Sequence, residues 1–432
     1  MNAQNPIRSN SVPNDLLLSF NKNVLNLSFF IARRYLVKQK GAFSSFIIRL
    51  AIVATALSVA VMIVAMAVVT GFNYTVSEKL YSFMGHVHVV PFDETKSNSL
   101  SYTEPIYFDT SLLRQLKKIP HVTAVSPFVE RPVIVQAHGG MDGLVLKGVD
   151  KEYRFLNGIT TSGKAIDYGN SSYAKQILLS NTSANRLNVN IGDTVQLDFI
   201  IDGAPRIRRV RVCGLYHSGM EDVDKFFGVC DIRLLQRINN WSADSINGYQ
   251  LDLASEKYAD TVSMFIHDNL INPPIEAYTT KENYSSIFDW LGLVGVNSTI
   301  LLVIMAIVSI INMGAVLVIL MVDRAAMIGL LKALGMPFEK TRNIFLAIAG
   351  LIGGTGILLG NALALTLCWL QLHFGLITLP EETYYMRYVP IKIIWWQVGV
   401  LDIITLLLCV FCMWLPALYI RRIQPARVLQ FK

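Results

Sequence analysis

The sequence predicts an α-helical membrane protein with four transmembrane helices, both termini cytoplasmic, and a large α+β extracytoplasmic domain inserted between helices one and two. Three observations predict this class. Of 432 residues, 53% are hydrophobic and only 16% charged, against about 25% charged in a soluble domain. The apolar excess is gathered in four runs of roughly 23 to 30 residues, each able to cross a hydrocarbon core of about 30 Å. The basic residues collect beside those runs, as they do at a cytoplasmic membrane face.

The elements follow in order. Residues 1–46 read as a cytoplasmic tail and an interfacial elbow helix, because Leu27, Phe30, Ile31 and Tyr35 fall at helical spacing. Arg33, Arg34, Lys38 and Lys40 stand among them, placed to reach headgroups. The first transmembrane helix is assigned to 47–70. Its apolar run is too long for a cleaved signal peptide, despite the small-residue pattern Ala65-Met-Ala67. The remaining spans are 293–322, 344–372 and 394–420, with a cytoplasmic segment at 323–343, an outer loop at 373–393 and a cytoplasmic tail at 421–432. Arg324, Lys332, Lys340 and Arg342 lie between helices two and three, and Arg421, Arg422, Arg427 and Lys432 follow helix four. The loop 373–393 is balanced, with Glu381 and Glu382 against Arg387 and Lys392. This asymmetry orients the chain. The net charge of +7 therefore belongs to the membrane surface, and nucleic-acid binding is the poorer reading.

Between the first two spans, residues 71–290 alternate strand and helix patterns. His86 to Val90 alternates with period two, Ser111 to Lys118 reads as a short helix, and Pro132 to Lys147 reads as a hairpin about Gly139-Gly140. Asp193–Phe199, Arg206–Val212 and Phe226–Cys230 read as strands of a β-rich insertion at about 160–245. Lys257–Leu270 reads as a helix returning the chain to the membrane.

No phosphate-cradling glycine loop, zinc-protease helix or nucleophile elbow occurs, so the chain carries no catalytic residues and does not hydrolyse ATP itself. His86 and His88 read as surface or packing residues, with no metal site. Cys213 and Cys230 form a disulfide if their strands are adjacent; Cys368, Cys409 and Cys412 read as small apolar residues. Gly350, Gly354, Gly356 and Gly360 have the spacing of close helix packing. Asp402 reads as a packing group bonded to a neighbouring helix, with Asn312 or Ser309 as partner. Met62, Met66, Met305 and Met313 are candidates for a lipid cavity, from the adaptability of Met at helix seams.

The most informative stretch is Asp323 to Pro337. It holds Met327, Ile328, Leu330, Leu331 and Leu334 among basic residues, a surface suited to docking in a partner's groove. Arg324, Ile328, Gly329, Leu330, Leu331, Lys332, Ala333, Leu334 and Gly335 resemble the coupling helix of the FtsX-like (MacB-type) ABC permease superfamily, which often has Glu where this chain has Met327. Phe30 to Leu36 is similar to that family's elbow. Val69 to Phe72 with Gly85-His86, Leu379 to Tyr385 with Val389-Pro390, and Pro416 with Pro425 to Leu429 resemble its lipoprotein-releasing (LolC/LolE-like) branch.

The resemblance implies a non-catalytic permease subunit of a type VII-like ABC complex in the bacterial inner membrane. Its expected partners are a cytoplasmic ATPase, a second permease subunit (an identical or a related chain), lipoproteins, a periplasmic carrier and membrane lipid. No cofactor is bound directly, and ATP-Mg sits on the ATPase. Mechanotransmission through the helices then serves lipoprotein release. The alternatives are an FtsX-like regulator of cell-wall hydrolases and a MacB-like efflux subunit with a separate ATPase.

Overall fold

The computed structural model describes residues 42–92, 105–153, 155, 160–169, 172–201, 203–323 and 325–412. The tail and elbow expected before residue 42, and helix four beyond Cys412, lie outside them. Contacts divide the chain into two units. One takes in residues up to Gly71, Val294–Leu376 and residues from Pro390 onward. The other joins Phe72–Leu293 to Ile377–Val389.

Four helices among the described residues are long and apolar enough to cross a membrane. They are α1 (Ala42–Met84), α8 (Ser285–Asp323), α10 (Phe338–Phe374) and α12 (Trp395–Cys412). At 1.5 Å per residue, α1 is about 65 Å long and α8 about 58 Å, each near twice the hydrocarbon thickness. The sequence reading stopped both helices at the edge of their apolar runs, but the helices continue through polar residues. Short helix α9 (Ala325–Ala333) joins α8 to α10. In the helical unit, one apolar cluster gathers Ile47 and Ala51 of α1, Met313 and Leu317 of α8, Ile328 of α9 and Phe345 of α10. A second gathers Val59, Met62 and Ile63 of α1 with Ile357 and Ala364 of α10 and Val398 of α12.

The inserted domain is built on one ten-stranded sheet. Its strands are β1 (Val87–Pro91), β3 (Val122–Ala137), β4 (Gly140–Val149), β5 (Thr160–Gly163), β6 (Gln176–Ser180), β7 (Thr194–Ile201), β8 (Ala204–Tyr216), β9 (Phe227–Asp231), β11 (Gly248–Leu253) and β12 (Ile275–Thr279). A small ladder pairs β2 (Ile106–Tyr107) with β10 (Ser245–Ile246). The 16-residue β3 organises the sheet. Its first half pairs β11, its second half pairs β4, and Ile134–Gln136 also pair β7. Further pairings run β4–β9, β9–β6, β6–β8 and β8–β7, while β5 pairs β8 and β1 lies between β11 and β12. Strands β3, β4, β9, β6, β8 and β7 therefore close on themselves as a small barrel, which removes free edges. The strands of the segment 160–245 complete a barrel begun by β3 and β4.

The helices of this domain are short: α2 (Thr110–Lys118), α3 (Asn181–Leu187), α4 (Glu221–Phe226), α5 (Ile232–Ile238), α6 (Ala259–Asn269) and α7 (Thr280–Asn283). Asp109 caps α2 by accepting from the Ser111 amide at 2.6 Å, which fixes its first turn. The sequence reading of a helix at Lys257–Leu270 resolves into a 3₁₀ turn, Glu256–Tyr258, followed by α6.

Cys213 and Cys230 are free thiols, and their strands are not adjacent. Strand β6 lies between their strands: Ile177 pairs Cys230 on one side, and the Cys213 Sγ reaches the Ile177 carbonyl on the other at 3.4 Å. Two strand spacings, about 9–10 Å, exceed the reach of a disulfide. Burial pushes the Cys213 thiol up to about 11, which keeps it protonated.

Candidate functional site

Two places in the chain tie its elements together. The first is the point where α1 and α8 meet the inserted domain. Helix α1 ends at Met84 and runs into β1, while β12 runs through α7 into α8, and β1 and β12 are antiparallel neighbours with Val87 opposite Thr279. Both long helices therefore leave from adjacent strands.

Polar contacts fix that junction. A helix C-terminus leaves carbonyls without partners and carries partial negative charge. Here the Phe83 carbonyl accepts from the Lys147 Nζ at 3.2 Å and from the Tyr153 hydroxyl. The Gly85 carbonyl accepts from the Thr280 hydroxyl at 2.6 Å, and the His86 carbonyl from the Thr280 amide at 3.0 Å. Thr279 and Glu282 form a reciprocal capping box at the start of α7. The Phe83 ring sits edge-on to Phe155 and Phe227, at 4.6 and 5.1 Å between centroids.

Lys147 is fully buried. Its Nζ also donates to Gln250 Oε1 at 2.8 Å, stands 3.6 Å from Glu130 Oε1, and lies over the rings of Phe83, Phe128 and Tyr153. Desolvation lowers the Lys147 pKa and raises that of Glu130, so burial favours the neutral form of each against their mutual attraction. The sequence reading treated Lys147 as the end of a hairpin strand. The missed signal is the unbroken burial of Leu144–Val149, where both faces of β4 are covered.

His86 and His88 are packing groups. The His86 ring stacks on Tyr81 at 4.4 Å, and its Nδ1 accepts from the Leu253 amide at 3.2 Å. Burial lowers its pKa to about 4. His88 stacks on Tyr278 at 5.4 Å.

The second is α9. Ile328 is wholly buried and belongs to the helical unit's apolar cluster, and Gly329 is buried beside it. Leu330 and Leu334 are 51% and 76% exposed. Ala333 and Gly335 are exposed too, and Met327 is half-buried. Ile328 therefore anchors α9 from within, which corrects its placement on the docking surface. The Leu334 amide closes the last turn on the Leu330 carbonyl at 3.0 Å, and Gly335 (φ +85°) ends the helix in a conformation that favours glycine. Arg324 and the side chains of Leu331 and Lys332 lie outside the described residues.

The glycines of α10 separate into two pairs. A Cβ at Gly356 would lie 2.8 Å from the Thr55 Cβ, and one at Gly360 would lie 2.7 Å from the Ala56 carbonyl. These two let α10 approach α1. A Cβ at Gly350 or Gly354 meets no atom within 4 Å, so this chain makes no close packing there. Asp402 accepts from Asn361 Nδ2 of α10 at 2.9 Å, which replaces Asn312 and Ser309 as its partner. Met62 and Met313 are buried inside the two clusters of the bundle, whereas Met66 and Met305 are half-buried beside the second. The first two therefore face protein in this structure, which corrects their assignment to a lipid cavity.

Comparison with known proteins places these features. Residues 50–262 match the MacB-like periplasmic core domain, and residues 299–425 match the FtsX-like permease C-terminal region. The chain thus carries a region like the FtsX-like permease C-terminal behind one like the MacB periplasmic core. It is 25% identical over 429 residues to the lipoprotein-releasing system transmembrane protein LolC of Xylella fastidiosa, covering 94% of this chain and 99% of that one. It is 24% identical over 428 residues to the lipoprotein-releasing system transmembrane protein LolE of Haemophilus influenzae, with the same coverage. Among solved structures, the periplasmic region of MacB from Actinobacillus actinomycetemcomitans aligns at 12% identity with a TM-score of 0.32, covering 47% of this chain and 92% of that one.

Proposed function

We propose that this permease is the non-catalytic membrane subunit of an ATP-driven complex that releases lipoproteins from the inner membrane to a periplasmic carrier. The observation that carries the reading is likeness along almost the whole chain to transmembrane proteins of lipoprotein-releasing systems, at 94% coverage of this chain and 99% of the relatives. In this reading an ATPase subunit holds ATP-Mg and docks on the exposed edge of α9, with Leu330 and Leu334 as apolar anchors. A second permease subunit, identical or related, completes the complex.

The mechanical part of the proposal is supported by stiffness. Nucleotide-driven movement of the ATPase shifts α9, whose buried Ile328 ties it to α1, α8 and α10. Movement of α1 and α8 reaches the inserted domain through Phe83, Gly85 and His86, whose carbonyls are each bonded to a side chain or amide of that domain. No polar substrate needs to cross the bilayer.

Purification from native membranes, followed by mass spectrometry of retained proteins, tests the reading. Wild type is expected to retain an ATPase and lipoproteins, and Leu334→Asp to lose the ATPase. Retention of a cell-wall hydrolase or an outer-membrane duct, with no lipoprotein, would overturn the proposal in favour of a signalling or efflux permease.

A further inference from the structure

We propose that His217 is a proton-operated latch that fastens the loop between α10 and α12 to the inserted domain. Ile377–Val389 groups with that domain and not with the helices that flank it in sequence. It contains a short helix, α11 (Glu381–Tyr384), and closes on itself through the Leu379 amide to the Arg387 carbonyl at 2.9 Å and the Val389 amide to the Ile377 carbonyl at 3.2 Å.

His217 follows β8 and stands between two carboxylates. Its Nδ1 lies 3.0 Å from Asp224 Oδ2 on α4, and its Nε2 lies 2.7 Å from Glu381 Oε1 on the loop. A neutral imidazole has one N–H and one lone pair, so it can donate to only one of them. The other nitrogen then faces a carboxylate oxygen with no proton between them. Only the imidazolium satisfies both sides. Asp224 is held within the domain: its Oδ1 accepts from the Ser218 amide at 3.0 Å and the Ser218 hydroxyl at 2.8 Å. The carboxylate that loses its hold on His217 on deprotonation is therefore Glu381.

Other charged groups also face the latch, and the Lys79 ammonium attracts both Glu381 and Asp224. Lys79 of α1 donates to the Tyr385 carbonyl at 2.6 Å and to the Gly219 carbonyl at 3.4 Å. Glu221 of α4 pairs with Lys225 of the same helix. Asp222 accepts from the Tyr385 hydroxyl at 3.3 Å. Trp290 and Phe72 meet Tyr385 and Tyr384 edge-on, at 6.1 and 6.3 Å. These contacts seat the loop, and His217 adds a part that depends on whether its ring carries one proton or two. The loop is continuous with α10 and α12, so the latch sets how firmly the connection between those helices is held. The inference does not depend on what the complex releases.

Hydrogen exchange of the full-length protein in lipid nanodiscs tests it, with labelling times corrected for the intrinsic effect of pH. Peptides covering 377–389 are expected to exchange about two- to fivefold more slowly at pH 5.5 than at pH 8.0, the scale of a half-exposed charge pair. His217→Gln and Glu381→Gln, both at the surface, are expected to abolish that difference. Equal protection at the two pH values in wild type, or an unchanged difference in His217→Gln, would overturn the proposal.

Discussion

The Nζ of the buried Lys147 lies 3.2 Å from the carbonyl oxygen of Phe83, so the end of a 43-residue helix is capped from inside the domain it enters. A cation at a helix C-terminus meets both the unpaired carbonyls and the negative end of the dipole. Glu130, Gln250 and Tyr153 complete the same network. The domain and α1 therefore do not hinge freely at Phe83.

Removing that cap is expected to cost more than the cap contributes. Lys147→Met leaves Glu130 buried without its counter-charge, a loss of about 3–5 kcal/mol. The double variant Lys147→Met, Glu130→Gln is expected to recover part of it. Thermal unfolding of the full-length protein measures both. A double variant no more stable than the single one would show that the pair is not the source of the loss.

His86 gives the inserted domain an acid-sensitive edge. Its folded pKa, lowered by burial to about 4, lies below the value of about 6.5 expected in an unfolded chain. The unfolded state binds more protons between those values, so stability is complete above about pH 6.5 and falls as pH drops toward 4. Denaturation midpoints at pH 7.5 and 5.0 should differ in wild type. The difference should shrink in His86→Asn, which keeps an acceptor for the Leu253 amide.

Gly360 lets α10 approach the backbone of α1. In Gly360→Val the new Cβ would overlap the Ala56 carbonyl and the Val59 side chain, with an overpacking cost of about 1–3 kcal/mol. Gly354→Ala meets no atom within 4 Å in this chain and is expected to leave the unfolding temperature in detergent unchanged.

The two faces of α9 should separate by readout. Leu334→Asp is expected to leave folding intact and weaken ATPase capture about tenfold or more, because docking would bury an unpaired carboxylate. Ile328→Asp places that carboxylate in the bundle's apolar cluster and is expected to lower the yield of folded protein itself. Yield and ATPase recovery from one preparation distinguish them.

Much of the fold was legible because its signals are local. Apolar length marks the four long helices, the run Ser111 to Lys118 marks α2, and the Gly139-Gly140 turn marks the β3–β4 hairpin. Barrel closure was not legible, because the β3–β7 pairing joins residues some sixty positions apart and leaves no pattern in either strand. The burial of Lys147, at the end of that hairpin strand, is not legible for the same reason: its partners come from α1, β3 and β11. Asp402 was recognised as a packing group, but its partner could not be chosen among the polar residues of three neighbouring helices. Asn361 is identified only by the packing of α10 on α12. Ile328 packs into the bundle although it lies among the exposed apolar residues of α9, since helical spacing alone does not tell which apolar edge faces inward.

The central claim is that this permease drives lipoprotein release. Its most direct test is depletion in cells, with native lipoproteins followed by membrane fractionation. The account predicts that lipoproteins normally carried outward accumulate in the inner membrane, and that wild-type protein restores their export while Leu334→Asp does not. Unchanged lipoprotein distribution in depleted cells would contradict it.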